Sequence, residues 1–216
     1  KIYWEHTVVD THGYKRLNKI NIMQLSEDGS TVVGNKTNIA CDCLAISGGW
    51  TPTVHLFTQS GGKLKFRDDD QVFLPNIYPS EQISIGSCNG DFQLDQIIKN
   101  LSLSLKNFLN VVDTGLENLN IECSTDNNKR NIWLLPSDKV IGKTKSFVDY
   151  QNDATTKDIK LALREGFRSI EHVKRYTTTG MGTDQGKLGN MHALGIIADA
   201  AGVKMGELGT TTFRPP

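Results

Sequence analysis

The segment KRYTTTGMGTDQGK, Lys174 to Lys187, constrains this chain more than any other. It packs three lysine or arginine residues, four threonines and three glycines into fourteen positions, and only Tyr176 and Met181 offer much apolar surface. Ordering a chain costs conformational entropy that buried apolar area must offset, and this segment has little to bury. It cannot fold for its own sake, so flanking elements must carry it. Those elements are legible. Thr155 and Asp158 have the Thr-x-x-Asp spacing of a capping box, which predicts a helix through KDIKLALRE stopped by Gly166. SIEHVKRY predicts a short helix starting at Ser169, and MHALGIIADAAG a further one, again stopped by glycine. The closing TTTFRPP reads as extended, because proline disfavours helix in itself and its predecessor.

The first 90 residues read as β-rich. KINIMQL and TVVG flank SEDGS, a hairpin-turn run. ACDCLAIS, inside NIACDCLAISGGWTP, is a short apolar run ending in two glycines, the pattern of a buried strand feeding a ligand-side loop. QISIGSCNG ends the same way. From Asp91 to about Val112, Leu94, Ile97, Ile98, Leu101, Leu105, Phe108 and Leu109 recur at helical spacing, predicting an amphipathic helix packed on a sheet with Asp91 as N-cap. Residues 115–145 are polar and irregular apart from the apolar island NIWLLP, which reads as a connection whose island docks onto a neighbouring unit.

Lysine plus arginine balance aspartate plus glutamate at 24 each, so bulk charge gives no case for nucleic acid or an anionic membrane. No apolar run approaches the roughly 20 residues of a membrane-spanning helix, and the start lacks a signal-peptide layout. Cys41, Cys43, Cys88 and Cys123 match no zinc spacing and no dense disulfide framework, which reads as reduced thiols in a cytoplasmic protein. Cys41 and Cys43 read as small core thiols on one face of a strand. His6, His12, His55, His172 and His192 are scattered, none at metal-ligand spacing, and read as surface or satisfied core residues.

Two candidate sites remain. The Gly-rich strand ends SGGWTP and IGSCNGD suit a dinucleotide at the carboxyl edge of a sheet; ordinary tight turns are the plain alternative. In the Lys174–Lys187 segment, the cations Lys174, Arg175 and Lys187, the hydroxyls of Thr177, Thr178, Thr179 and Thr183, and the accessible backbone N–H groups expected around Gly180, Gly182 and Gly186 are the parts of a phosphate cradle. A solvated basic loop is the alternative. No Walker-type motif is present.

Several stretches together resemble the α subunit of heterotetrameric sarcosine oxidase. CDCLAISGGWTPTVHL is similar to that family's Gly-Gly-Trp turn in its pyridine-nucleotide domain. FVDYQNDATTKDIKLALREGFRSIEHVKRYTTTGMGTDQGK is similar to the linking domain that follows, and GTTTFRPP to the start of its folate-binding, aminomethyltransferase-like domain. The resemblance implies an α+β or α/β chain. Residues 1–114 would be the C-terminal part of a disulfide-reductase-like domain of the two-dinucleotide-binding type, and 115–145 a connection. Residues 146–208 would be a helical linking domain, and 209–216 the start of the folate domain. The family's amino-terminal segment and first nucleotide-binding turn have no counterpart here, which implies a middle piece of a longer subunit.

The linking domain also resembles the [2Fe-2S] module of bacterioferritin-associated ferredoxin. Its four cysteine positions fall on Asp149, Gln151, Asp184 and Gly189. A cluster needs thiolates or, less often, imidazoles, so the resemblance implies the module's fold without its cluster. For the sarcosine oxidase family it implies NAD at Gly48, Gly49, Gly86, Ser87, Phe92 and Leu94. Ser87 stands where related flavoproteins place an aspartate for the FAD ribityl chain, which fits NAD better. Lys174, Arg175, Thr183, Gln185 and Lys187 would face the phosphate of an FMN shared with the β subunit. FAD, the amine-oxidising flavin, would belong to β, tetrahydrofolate would bind elsewhere in the complex, and γ and δ subunits complete the partners. The resemblance places no catalytic residue and no metal ligand in this chain. The alternatives are an α-type subunit of an octopine- or hydroxyproline-type dehydrogenase, and a non-catalytic scaffold.

Overall fold

The computed structural model describes residues 1–79, 81–110, 114–116, 119, 121, 131–139 and 145–209. Cys123, most of the 115–145 connection and the TTTFRPP segment fall outside them. The chain opens with an antiparallel meander of β1 (His6–Gly13), β2 (Leu17–Leu25) and β3 (Val32–Ala40), in the order β1-β2-β3. Ile20, Ile22 and Met23 of the central strand are buried. The SEDGS turn forms as its sequence predicts. Asp28 accepts the hydroxyls of Ser26 and Ser30 at 2.6 Å each, and with the Ser30 N–H they hold its carboxyl down to about 2.

The next expectation fails. β3 stops at Ala40, and residues 41–50 run on without a strand partner. Cys43 is exposed and Cys41 only half-buried, so they are not core thiols on one strand face. Ile46 and Trp50 lie 75% and 83% exposed. A buried strand needs neighbours at both edges and cover on both faces, and among the described residues nothing supplies them. QISIGSCNG departs for the same reason: no strand forms, and Gly86 opens a 3-10 turn, Gly86–Asn89. Every strand pair among the described residues is antiparallel.

A short helix, α1 (His55–Gln59), and a hairpin of β4 (Lys63–Arg67) and β5 (Val72–Ile77) follow, neither marked in the sequence pattern. The amphipathic helix is present as α2 (Leu94–Leu109), but its N-cap is Gln93. Asp91 instead accepts a hydrogen bond from Asn100 Nδ2 at 2.9 Å. The helix lies against the 3-10 turn rather than on a sheet, and Leu94, Phe108 and Leu109 remain exposed.

The C-terminal unit holds the main core. A two-strand ribbon, β6 (Phe147–Asp149) with β7 (Ala154–Thr155), leads into α3 (Thr156–Arg164), α4 (Ile170–Thr177), α5 (Asn190–Ala201) and α6 (Met205–Leu208). The predicted capping box is complete. The Asp158 carboxylate accepts the Thr155 N–H at 2.8 Å, and the Thr155 hydroxyl oxygen accepts the Asp158 N–H at 3.4 Å. Helix α5 is buried almost all round, from Met191 to Ala198, as a central helix must be. Ile159, Val173, Leu194 and Ile197 form its closest packing.

Two outside elements complete that core. Leu64, Phe66 and Phe73 of the β4–β5 hairpin pack against it, and Trp133 and Leu134 of the NIWLLP island dock onto it as the apolar island predicts. The Trp133 ring lies over Gly195 of α5, where an added Cβ would come 2.2 Å from its Cγ, and its Nε1 donates to Gln71 Oε1. No helix among the described residues is long and apolar enough to cross a membrane.

The contact at Gly195 has a measurable consequence. Gly195→Ala gains up to about 1 kcal/mol of helix propensity, but the new methyl must displace the indole, and overpacking of this kind costs about 1–3 kcal/mol. The expected result is a net loss of stability with a red shift in tryptophan emission. The shift reports Trp133, because Trp4 and Trp50 are already 78% and 83% exposed.

Candidate functional site

The loop from Thr178 to Gly189 is organised from inside by a carboxylate. Asp149 ends β6 and is 5% exposed. Its Oδ1 accepts the N–H groups of Gln151 at 2.8 Å and Asn152 at 3.0 Å, and its Oδ2 accepts the Gly180 N–H at 2.7 Å. Burial pushes this carboxyl up, but the N–H groups of Gly180, Asn152 and Gln151 outweigh it and hold the group below the ordinary carboxylate range. The first two contacts are an Asx turn, a local preference of aspartate. The third reaches across thirty residues and ties the loop to the ribbon.

The other three positions of the iron–sulfur resemblance lie close by and are also engaged within the chain. Gln151 Oε1 accepts the Thr183 hydroxyl at 3.1 Å and the Asp184 N–H at 3.4 Å. Asp184 accepts the N–H groups of Gly186 and Leu188 at 3.2 and 3.3 Å. Gly189 leaves no room for a side chain, since a Cβ would meet the Val148 carbonyl oxygen at 2.7 Å. Asn190 fills the space between two loop glycines. A Cβ on Gly180 or on Gly186 would come within 2.1 Å of its amide, and both glycines have positive φ, +70° and +78°. Substitution at either is therefore barred twice over.

One part of the phosphate cradle read from composition is corrected by this geometry. Two of the three backbone donors expected to be accessible point inward, Gly180 on Asp149 and Gly186 on Asp184. Thr183 donates to Gln151, Gln185 Nε2 donates to the Gly182 carbonyl at 2.9 Å, and Thr177 and Thr179 share a 2.7 Å hydroxyl contact. Outward the loop presents charge together with the exposed side chains of Tyr176, Met181 and Leu188. Lys174 and Arg175 occupy the last turn of α4, with Arg175 4.0 Å from Glu171, and Lys187 is exposed at the foot of α5. Among the described residues, no ion pair engages Lys174 or Lys187.

The residues read as a dinucleotide site divide into two places. Gly86, Ser87, Phe92 and Leu94 stay together at the 3-10 turn and the start of α2, where Gly86 has φ +78° and faces Ile97. Gly48 lies against the helical unit instead, where a Cβ would stand 3.5 Å from His192 Nε2, and a Cβ on Gly49 would meet nothing within 4 Å. His55, the first residue of α1, feels the charge of Lys187. No local spacing joins Gly48, His55 and His192, and only the fold brings them towards one loop. No group of three or more His, Cys, Asp or Glu among the described residues is arranged to hold a metal ion.

Comparison with known proteins agrees with the resemblance read from the sequence. A family model described as the sarcosine oxidase A3 domain matches residues 143–216. The chain is 37% identical over 193 residues to the sarcosine oxidase subunit alpha of Rhizobium meliloti (strain 1021), a match covering 84% of this chain and 18% of that protein. It is 32% identical over 221 residues to the subunit alpha of Corynebacterium sp. (strain P-1), covering 97% of this chain and 22% of that one. Over most of its length, then, the chain corresponds to a segment of the sarcosine oxidase α subunit, and it spans about a fifth of the length of these curated relatives. Among solved structures it is similar to the L-proline dehydrogenase from P. horikoshii, with a TM-score of 0.59 at 17% identity over 97% of this chain and 42% of that one. At that identity the likeness is one of fold.

The Asp149 contacts predict a specific pH response. A carboxyl held below its ordinary value contributes stability that is complete above about pH 4 and is lost as pH falls through its folded-state value. Asp149→Asn keeps the shape but sets an amide N–H against a backbone N–H, and is expected to cost about 2–3 kcal/mol at neutral pH. Urea titrations at a series of pH values should show the gap between the two proteins closing below about pH 4. A gap that stays constant would mean the carboxylate charge is not what holds the loop.

Proposed function

From that kinship, we propose that this chain is the part of a sarcosine oxidase α subunit that contributes to NAD binding and to the phosphate site of an FMN shared with the β subunit. The whole enzyme would be an oxidoreductase of the CH–NH bond with oxygen as acceptor. It would demethylate sarcosine to glycine with release of hydrogen peroxide, the one-carbon unit leaving as formaldehyde or as 5,10-methylenetetrahydrofolate. FAD on β would oxidise the amine, and β, γ and δ subunits would complete a cytoplasmic heterotetramer. The observation that carries the reading is the identity to two sarcosine oxidase α subunits over most of the chain.

The residues present suit the two cofactors in different ways. For NAD, Gly86 and Ser87 form the turn before α2 and Leu94 is exposed on that helix's first position, so backbone and helix start together could meet a nucleotide. Gly48 and Gly49 would border this ligand only from the side of α5. For FMN, the contribution would be electrostatic. Lys174, Arg175 and Lys187 supply cations, whereas Thr183 and Gln185 would have to exchange their present partners, Gln151 and Gly182, before donating to a phosphate. A bound flavin would supply the electron-carrying chemistry, and the chain would hold and orient its phosphate end. In this reading the chain is one-sided: it carries neither the amine-binding pocket nor the oxidising flavin.

The test is flavin retention in the assembled enzyme. Lys174→Ala and Arg175→Ala should each weaken FMN retention by about 1.5–3 kcal/mol, the worth of a charge-assisted contact, while the FAD content of β stays at its wild-type level. Unchanged FMN retention in both variants would remove the α4 cations from the site. Oxidation of sarcosine by this chain in the absence of β would overturn the assignment as a whole.

A further inference from the structure

The segment from Trp133 to Lys139 is held at its two ends by different physics. At one end, Trp133 lies over Gly195 of α5, its Nε1 donates to Gln71 Oε1 in the turn between β4 and β5, and Leu134 packs on the helical core. At the other end the hold is ionic. Asp138 pairs with Lys36 of β3 at 2.7 Å, Lys139 pairs with Asp10 of β1, and Lys36 reaches Asp10 at 3.4 Å. The four charges alternate in sign, in the order Asp138, Lys36, Asp10, Lys139, and link the segment to two strands of the meander. Lys139, by its hydrogen bond, and Lys36 hold the Asp10 carboxyl below the ordinary carboxylate range against its desolvation.

The two ends differ in how easily they let go. Trp133 and Leu134 belong to a core that opens only with the helical unit. The ionic end is made of side chains that keep contact with water: Lys36, Asp138 and Lys139 are 32%, 31% and 39% exposed, and Asp10 12%. Pairs of this kind are individually weak and are screened by salt, whereas the apolar contact has no such dependence on screening. Between the ends, Leu135 and Ser137 are exposed, so little packing resists bending there. A separate feature works against the closed position. Asn21 stands opposite Asp10 in the strand register, and so on the same face of the sheet. It is 6% exposed, and its Oδ1 has no hydrogen-bond partner among the described residues. A buried acceptor without a partner costs free energy that water reaching this face would recover.

We propose that residues 133–139 are a hinged strap between the meander and the helical unit, whose ionic end at Asp10 and Lys36 opens on its own while the Trp133 end stays seated. Opening unties the meander from α5 at this point and admits water to the face that holds Asn21. The strap makes the hold between the two parts sensitive to ionic strength, and to a neighbouring charge that competes for Lys36 or Asp10.

Trypsin reads the ionic end directly, because it cleaves after Lys139 only when that side chain is free of Asp10, and cleavage follows the open population when opening is fast. In the full 216-residue chain, cleavage after Lys139 is measured by mass spectrometry relative to cleavage after Arg16, which lies exposed in the turn between β1 and β2. From about 50 mM to about 1 M sodium chloride, where the Debye length falls to about 3 Å, this ratio should rise about tenfold while Trp133 emission stays constant. Asp10→Asn, which weakens two cation contacts, should give a high ratio already at low salt and flatten the salt response, and Asp138→Asn should raise the ratio less. Should Asp10→Asn unfold the chain, the salt titration of the unmodified chain and Asp138→Asn decide alone. A ratio that ignores both salt and the substitutions overturns the proposal. So does a red shift of Trp133 emission in step with cleavage, since the strap then releases as a whole with the core.

Discussion

One buried carboxylate sets the shape of the C-terminal unit. A polar loop of this composition has no apolar face with which to anchor itself, and three N–H groups from two separate segments converge where it meets the ribbon. Left unsatisfied, each would cost about 1–3 kcal/mol. Asp149 satisfies all three and remains ionised because of them. The Gln151 amide and Asp184 carboxylate extend the same logic, so that loop and ribbon are joined by polar contacts.

The loop needs a rigid base, and α5 provides it. A helix buried on nearly every side can exist only if other elements surround it. Here α3 and α4 cover part of it, while the β4–β5 hairpin and the Trp133 island cover the rest. The core of the helical unit therefore draws on residues from far earlier in the chain. This is why the Gly48–Gly49 turn comes to lie beside His192: the segments that close the core bring the first half of the chain onto the start of α5.

What could be read from the sequence follows from how local each feature is. The Thr155–Asp158 capping box, the stops at Gly166 and Gly202, and the SEDGS turn depend on neighbours a few residues apart, and they appear where their patterns put them. ACDCLAIS and QISIGSCNG have the composition of buried strands, but a strand is a property of a pair, and no partner lies among the described residues. The same applies to α2, whose apolar spacing forms a helix without finding the sheet it implies. At the candidate site, the loop and its cations were legible. The direction of the loop's donors was not, because Asp149 to Gly180 is a contact over thirty residues that no spacing rule encodes.

These points bear on how such a loop could serve a phosphate at all. An internal and an external anion compete only if they use the same donors. Here they do not. The inward N–H groups belong to Asp149 and Asp184, while the outward ammonium and guanidinium groups belong to the surface. The internal carboxylates hold the backbone fixed whether or not a ligand is present, so a ligand need not order the loop on binding, and the entropy that would otherwise oppose association is already spent in folding.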